Sequence, residues 1–256
     1  MKLHILLISF TLCLSTLASS AIKKPRDPFS QMKEQKVTMQ LTIKALSHKG
    51  PQRVRELHRQ GPKGYKNLIK IAFGKDYGMR HKWRAVVTMA QVGKKESLPE
   101  LTKAAKSPQW FMRNAALVSM AEIVPQKAKK WARLMLTDSA LIVRTEAVRV
   151  LRHLKDNKSS NVLWTELYSK QNYRGKKSLW IRRHIVETLA EIGSKNDVKK
   201  FVLVLQDTDK SLHEPAISAL EKLTNKKLGK TSDTTTVKVD HWKKWWIVNK
   251  TNYKSI

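Results

Sequence analysis

A nearly constant repeat of amphipathic segments constrains the fold of this chain more than any other feature. The segments begin at His81, Met112, Val143, Ile181 and Leu212, so successive starts are 31, 31, 38 and 31 residues apart. Each segment carries small or apolar residues at helical spacing. A shorter apolar segment precedes each of them, in the order YKNLIKIAF, LPELTKAA, KKWARLML, NVLWTELY and VKKFVLVL. Two antiparallel helices per repeat, in tandem copies, predict an α-solenoid.

A polar residue precedes each long segment at a fixed distance. It lies six positions before the second residue of the segment, and the series reads Asp76, Ser107, Asp138, Lys176 and Asp207. Asp and Ser at this point can accept the free N–H groups of a helix start, whereas Lys cannot. The pattern of Asp, then an apolar residue and Arg, then Ala and an apolar pair resembles HEAT repeats of the bacterial PBS-lyase-like type across residues 64–229. We therefore expect an all-α fold, a right-handed α-solenoid of about five HEAT-type helical hairpins.

The N-terminal part of the chain precedes the repeats. Residues 1–21 are predicted as a signal peptide, because the apolar run Leu3–Leu17 follows Lys2 and is followed by small residues. Cys13, the single cysteine, lies in this run, so the mature chain would contain no disulfide. Residues 22–63 are predicted as a leader and N-terminal cap, with VTMQLTIKAL helical because a lone strand has nothing to pair with. We expect a periplasmic or secreted protein, although the basic residues after the signal oppose translocation.

Residues 230–256 are predicted as a linker and a C-terminal capping helix rich in tryptophan. Trp242, Trp245 and Trp246 are spaced i, i+3 and i+4, so a helix places them on one face. The last repeat of a solenoid otherwise exposes an apolar face, which a cap covers. Asp240 is the predicted N-cap of this helix. The alternative is that the tryptophans form a platform on which glycans or bases stack.

The excess of positive charge recurs in the loops that join one repeat to the next. The chain has 51 Lys and Arg against 20 Asp and Glu, a formal net charge of +31. Because repeats stack, these loops line up along one edge of a solenoid and predict a continuous lysine ridge that binds an anionic partner. A solvated charge run is the alternative for any single cluster. The lysines predicted to bind are Lys94, Lys95, Lys127, Lys129, Lys130, Lys155, Lys158, Lys195, Lys199 and Lys200.

Extra residues in the fourth repeat account for its irregular spacing. They fall within Tyr168–Ser178, where Arg174, Lys176 and Lys177 are further candidates for anion binding. Insertions in solenoids emerge as loops on one face, often the binding face. A tolerated surface insertion explains the same residues equally well.

Arginines recur at the second position of the long segments, as Arg113, Arg144 and Arg182. We expect each to pair with an aspartate of its own or a neighbouring repeat rather than to bind a ligand. Arg183 lies beside Arg182 and has no repeated aspartate to pair with. It is therefore the better candidate for ligand binding.

No residue pattern indicates an active site. The histidines are scattered without zinc-binding spacing, and the chain has no Gly-rich phosphate loop or nucleophile elbow. Glu187 and Glu191, one helical turn apart, are expected to face solvent near Arg183 rather than to bind a metal. We therefore predict no enzymatic activity, no cofactor and no metal.

These patterns together predict an exported, monomeric binding or scaffold protein. Its partner is expected to be an acidic protein or an anionic polymer of the cell envelope, with no stable insertion into the membrane after signal cleavage. The alternative is a nucleic-acid-binding protein retained in the cell. DNA alkylation-repair glycosylases, which build a cationic, tryptophan-lined groove from HEAT-like repeats, motivate that alternative.

Overall fold

The computed structural model of the chain describes residues 27–253, and the predicted signal segment and Cys13 lie outside them. Helices dominate the described residues, and strands occur there only as one antiparallel hairpin, β1 (Tyr173–Arg174) and β2 (Lys177–Ser178). The helices are α1 (Pro28–Ser47), α2 (Gly50–Phe73), α3 (Met79–Gly93), α4 (Leu98–Ala105), α5 (Trp110–Ile123), α6 (Pro125–Met135), α7 (Leu141–His153), α8 (Ser160–Leu167), α9 (Ile181–Ile192), α10 (Val198–Val204), α11 (His213–Thr224) and α12 (Thr235–Asn249).

The chain divides into two compact units, Met1–Val37 and Thr38–Ile256. In the first unit, Asp27 accepts hydrogen bonds from the backbone N–H and the hydroxyl of Ser30 and so caps the start of α1. The part of α1 from Thr38 onward belongs to the second unit, together with all later elements. The segment VTMQLTIKAL is therefore helical, as expected from the sequence.

Within the second unit, the end of α1 packs beside α2 through a buried polar contact. Thr42 Oγ1 donates to Gln60 Oε1 at 2.6 Å and accepts from Asn67 Nδ2 at 3.2 Å. α2 bends at Gly61, whose φ of 55° suits glycine, and Pro62 then begins a second helical half. Gly61 and Pro62 therefore kink α2 without ending it.

Five helical hairpins follow, and each pairs one predicted short segment with one predicted long segment. They are α2–α3, α4–α5, α6–α7, α8–α9 and α10–α11. The second helices of the hairpins pack side by side in a row, α3 on α5, α5 on α7, α7 on α9 and α9 on α11. This arrangement confirms the all-α solenoid.

Equivalent positions along this row supply the core. One position is fully buried in every repeat and is occupied by Ala85, Ala116, Ala147, Ile185 and Ala216. The position one turn further is also fully buried and holds the larger Met89, Met120, Leu151, Leu189 and Leu220. Alanine lets neighbouring helices approach closely, and each buried Leu or Met stabilises the fold by about 1.5–3 kcal/mol. The period of the sequence is therefore the period of the core.

Candidate partner-binding surfaces

The repeated arginines connect neighbouring repeats. Arg113 donates two hydrogen bonds of 2.6 Å to the carboxylate of Asp138 in the next repeat. Arg182 donates to both carboxylate oxygens of Asp207 through its two terminal nitrogens, Nη1 and Nη2. The pairing expected from the sequence is confirmed for these two arginines, which are engaged in holding the array together.

Asp138 also accepts a hydrogen bond of 2.9 Å from the backbone N–H of Ala140, just before α7. Burial alone would raise the pKa of Asp138. Hydrogen bonds from Arg113 and Ala140 and the charges of Arg113 and Arg144 outweigh burial and lower the pKa. The carboxylate is therefore ionised at neutral pH, where it serves both repeats.

Asp138 follows Arg113 by 25 residues, but no aspartate follows Arg144 at that distance. The inserted segment supplies hydrogen-bond acceptors for Arg144 instead. Its Nε donates to Asn172 Oδ1 at 3.0 Å, and its Nη2 donates to the carbonyl oxygen of Gln171 at 2.7 Å. Burial lowers the pKa of Arg144, against the charges of Asp138 and Glu166. The expectation that Arg144 pairs with an aspartate carboxylate of its own or a neighbouring repeat is therefore wrong, and Asn172 takes that place.

The inserted segment is a fixed hairpin. Asn172 is fully buried, donates to the carbonyl oxygen of Glu166 at 2.7 Å, and accepts from the N–H of Leu179 at 3.0 Å. Gly175 forms the turn between β1 and β2 with a φ of 60°, a conformation that favours glycine. The exposed cations of the hairpin are Arg174, Lys176 and Lys177.

Arg183 has no repeated aspartate as a partner, and pairs instead with Glu187 of its own helix, one of the two glutamates expected near it. Its Nε donates to Glu187 Oε1 at 2.9 Å, and its Nη1 donates to the carbonyl oxygen of Ser211 at 3.3 Å. Glu187 also accepts from Arg152 of α7 at 2.9 Å, and Arg152 donates to Glu191 as well. The network joins α7 to α9. Sequence periodicity does not reveal this network, because Arg152 does not recur at the repeat period.

A groove of about 630 Å³ lies between α7 and α9 beside this network. Burial would raise the pKa of Glu187, but hydrogen bonds from Arg183 and His184 lower it. Glu146 lines the same groove, and burial raises its pKa, an effect that the charge of Arg149 partly offsets. The groove therefore contains charges of both signs.

The lysines of the inter-repeat loops form a second candidate surface, which we call the lysine edge. Each lies at or just after the turn from the second helix of one hairpin to the first helix of the next. Because the hairpins stack, these turns lie at the same edge of the array. All of these lysines are exposed except Lys129, which is half-buried. The lysine edge comprises Lys94, Lys95, Lys127, Lys129, Lys130, Lys155, Lys158, Lys195, Lys199 and Lys200.

Two aspartates in the same loops are turned inward. Asp156 is 4% exposed and accepts from Arg133 at 2.6 Å. Asp197 is 6% exposed and accepts from the indole N–H of Trp164 and the backbone N–H of Ser194, both at 2.9 Å. Both carboxylates therefore accept hydrogen bonds from groups inside the array.

One lysine of this edge has a structural role. Lys200 lies 3.3 Å from Asp197 and its ammonium group lies 5.5 Å from the centre of the Trp164 ring. Within the described loops of the lysine edge, Glu96 is the exposed acidic residue. The outward charge of the edge is therefore strongly positive.

The C-terminal helix α12 packs against α10 and α11. Trp242 is fully buried, and its ring meets that of Trp245 edge-on at 5.2 Å. Trp245 and Trp246 are half-buried and both lie near the ring of Tyr253. Trp242 therefore belongs to the interior of the array and is not on its surface.

The N-cap of α12 differs from the one expected. The helix begins at Thr235, and the hydroxyl of Thr234 accepts from the N–H of Val237 at 3.4 Å. Asp240 lies inside the helix, so the prediction that it is the N-cap is wrong. Threonine, like aspartate, is a favoured N-cap residue, because its side-chain oxygen can accept a hydrogen bond from a backbone N–H of the first helical turn.

Comparison with known proteins identifies the repeats. A family model described as HEAT repeats matches residues 65–152, which span α3 to α7 together with the end of α2. The chain contains HEAT repeats. The match names HEAT repeats in general, so the PBS-lyase-like type remains a prediction. HEAT repeats indicate a protein-interaction scaffold, and hence protein partners.

No curated protein matches this HEAT-repeat chain. Among solved structures, the crystal structure of an engineered protein from a structural genomics consortium is similar at 18% identity. The similarity covers 79% of this chain and 93% of that chain, with a TM-score of 0.47.

Two further observations concern the described part of this HEAT-repeat protein. Across residues 27–253, no three side chains of His, Cys, Asp or Glu come together in a way that could hold a metal ion. None of the helices in that range combines the length and the apolar character needed to span a bilayer.

Proposed function

We propose that this HEAT-repeat protein is an exported, non-catalytic scaffold that binds an acidic protein of the cell envelope through the lysine edge. The observation that carries the proposal is that the basic side chains of the inter-repeat loops face solvent while two of their acidic side chains face the interior. Lysines face solvent there, whereas Asp156 and Asp197 bond inward to Arg133 and Trp164. An acidic partner laid along this edge meets one basic loop in each successive repeat.

The physical argument for an acidic partner is one of accumulated weak contacts. A single exposed lysine–carboxylate pair contributes about 0–1 kcal/mol, so one loop alone would bind weakly. Loops that repeat at the spacing of packed helices, about 10 Å, add their contributions along one partner chain. A protein partner is favoured over an anionic polymer because HEAT repeats indicate protein partners.

Two features support a scaffold without catalysis and its export. Carboxylates of the described residues such as Asp138, Asp207 and Glu187 are ion-paired with arginines, which suits structural roles. The pattern of Met1–Ala21 is typical of a cleaved signal. N-terminal sequencing of the mature protein is expected to begin within a few residues of Ile22. An intact Met1 in a cytosolic fraction would contradict export and favour the nucleic-acid alternative.

The binding proposal is tested with two variants of equal net charge. In the edge variant, Lys127, Lys130, Lys195 and Lys199 are changed to Gln, since each is exposed. In the control variant, the same change is made at four exposed lysines away from the edge, namely Lys70, Lys75, Lys106 and Lys244. Binding of poly-L-glutamate and of a DNA duplex is measured by fluorescence anisotropy at several salt concentrations.

The edge variant is expected to bind poly-L-glutamate about tenfold more weakly than the control variant, with a shallower dependence of log affinity on log salt. Its thermal unfolding should match that of the control. Equal weakening in both variants would contradict the proposal, because it would show that net charge alone drives binding. Much tighter binding of the DNA duplex than of poly-L-glutamate would favour the nucleic-acid alternative.

A further inference from the structure

Trp180 occupies an unusual place for a large aromatic residue. It is the N-cap residue of α9, directly after the inserted hairpin, and half of its surface is exposed. A tryptophan that only completed the core would be covered, as Trp242 is. Exposed tryptophan is also among the residue types that dominate the energetics of protein interfaces.

The orientation of the Trp180 ring is fixed by its neighbours. The His184 ring meets it edge-on, with ring centres 5.5 Å apart and an interplanar angle of 88°. His184 Nδ1 lies 3.2 Å from a carboxylate oxygen of Glu187, which Arg152 and Arg183 hold in turn. The indole is therefore preorganised, so a ligand loses less free energy in ordering it.

Two cavities meet at Trp180. One is the groove of about 630 Å³ between α7 and α9, which Ile142 and Trp180 line on its apolar side. The other has a volume of about 430 Å³ and lies between the hairpin and the loop before α11, with Lys177 and Thr208 among its lining residues. Both volumes fall in the usual range of ligand sites, about 300–1,000 Å³. An extended chain can therefore run from one cavity to the other across the indole.

The two cavities differ in charge. The groove is lined by as many Arg and Lys residues as Glu residues, and Arg152 is ion-paired with Glu187 and Glu191. At the hairpin, Asp207 is engaged by Arg182, and the nearby carboxylate of Asp209 accepts from the N–H and hydroxyl of Ser211. The inserted hairpin also carries three exposed cations that take no part in these pairs, namely Arg174, Lys176 and Lys177. One end of the cleft is thus neutral overall, and the other end is positive.

We propose that this cleft binds an extended segment of a protein partner that places an aromatic or aliphatic side chain against Trp180 and carboxylates beside Lys176 and Lys177. Trp180 and the inserted hairpin lie at the turn between the first and second helices of the fourth helical hairpin, whereas the groove extends along α7 and α9 as far as Lys155 of the lysine edge. The contacts that define the inference are those at Trp180, Lys176 and Lys177, so it goes beyond the proposed function and does not depend on the lysine edge. A polyanion without apolar groups would use the lysines and leave the indole unused.

The test is a selection of random dodecapeptides displayed on phage against the mature full-length chain. The recovered peptides are synthesised, and their affinities are measured for the wild type and for four variants. These are Trp180→Ala, Trp180→Phe, the pair Lys176→Gln with Lys177→Gln, and the pair Lys195→Gln with Lys199→Gln on the lysine edge.

The recovered peptides are expected to combine an aromatic or aliphatic residue with nearby carboxylates. Trp180→Ala should weaken their binding about tenfold, and Trp180→Phe should restore most of it. The hairpin double variant should weaken binding and make its salt dependence shallower. The lysine-edge double variant should leave affinity unchanged. Thermal unfolding of each variant shows whether it is folded, and the half-exposed Trp180 predicts that its variants are.

Three results would overturn the inference. The first is recovery of no peptide above background, and the second is affinity within about twofold of the wild type in Trp180→Ala. The third is loss of binding in the lysine-edge double variant with no loss in the hairpin variant. That third result would support the lysine edge as a binding surface while rejecting the cleft, so the two proposals can fail separately.

Discussion

At the scale of single residues, Asp138 joins two repeats through one carboxylate. It accepts two hydrogen bonds of 2.6 Å from Arg113 of the preceding repeat and one of 2.9 Å from the N–H of Ala140 in its own. The Asp138 side chain is 8% exposed and that of Arg113 is 15% exposed, so water screens the pair only in part. Removal of either partner leaves a largely buried charge without its counterpart.

We expect Asp138→Asn to lower the free energy of unfolding at neutral pH by about 1–3 kcal/mol, a value reduced from the buried-pair range to allow for the remaining exposure. Arg149→Ala serves as a control, since the Arg149 side chain is 68% exposed and its nearest carboxylate oxygen is 3.7 Å away. Urea unfolding followed by circular dichroism measures both. An equal effect in the two variants would show that the Arg113–Asp138 pair adds nothing specific.

The same pair predicts a dependence on pH. The folded pKa of Asp138 is lower than its ordinary value of 3.8, so the stabilisation is present above that value and is lost as pH falls through the lower folded value. The gap in stability between the wild type and Asp138→Asn should therefore be constant from pH 5 to 7, about one unit or more above the ordinary pKa, and should shrink in stronger acid. A gap that stays constant throughout would contradict this assignment.

The sequence predicts some of these residue contacts and hides others for a physical reason. Arg113 and Arg182 recur with their aspartates at the repeat period, so their pairs follow from spacing alone. Arg144 instead bonds to Asn172, and Asn172 belongs to a segment that interrupts the period. Arg183 bonds to Glu187 within its own helix, a local pair that competes with any ligand and has no periodic counterpart.

At the scale of elements, α12 shows what the tryptophans contribute. Trp242 is fully buried between α12 and the last hairpin, although its indole N–H has no hydrogen-bond partner among the described residues. Spacing of i, i+3 and i+4 predicts the shared face correctly. The start of the helix is not predicted, because Thr234 and Asp240 are both good N-caps and only packing selects between them.

We expect Trp242→Ala to lower the free energy of unfolding by about 3–5 kcal/mol, the range for removal of a buried Trp side chain. Trp242→Phe should cost less, because it keeps an aromatic ring and removes the unpaired N–H. Ile247→Ala in the same helix is the control, since Ile247 is 68% exposed and should change stability by less than about 0.5 kcal/mol. Thermal and urea unfolding give the three values. Unchanged stability in Trp242→Ala, with partner binding lost, would instead favour the stacking platform.

The inserted hairpin is the element that sequence periodicity describes least. Its length and position follow from the irregular spacing of 38 residues, but its fold depends on Asn172, which is buried and joins Arg144 to Glu166. Those contacts arise only once α7 and α8 are packed. The role of Trp180 is likewise not predicted by the sequence, since the two cavities beside it exist only in the folded array.

At the scale of the whole molecule, a net charge of +31 attracts any polyanion, so total charge alone gives little specificity. Specific recognition requires that particular lysines contact the partner while others remain in water. The inward contacts of Asp156 and Asp197 leave the lysine edge with little compensation. Specific recognition by the lysine edge therefore requires that a bound acidic chain lies along it.

Lysine acetylation footprinting tests this central claim most directly. The full-length mature chain is treated with an acetylating reagent with and without poly-L-glutamate at physiological salt, and the reaction of each lysine is followed by mass spectrometry. The proposed function predicts slower acetylation of Lys127, Lys130, Lys195 and Lys199 in the complex, with unchanged rates at Lys70, Lys75 and Lys244, which are also exposed. Uniform protection of all these lysines, or protection confined to Lys70, Lys75 and Lys244, would contradict it.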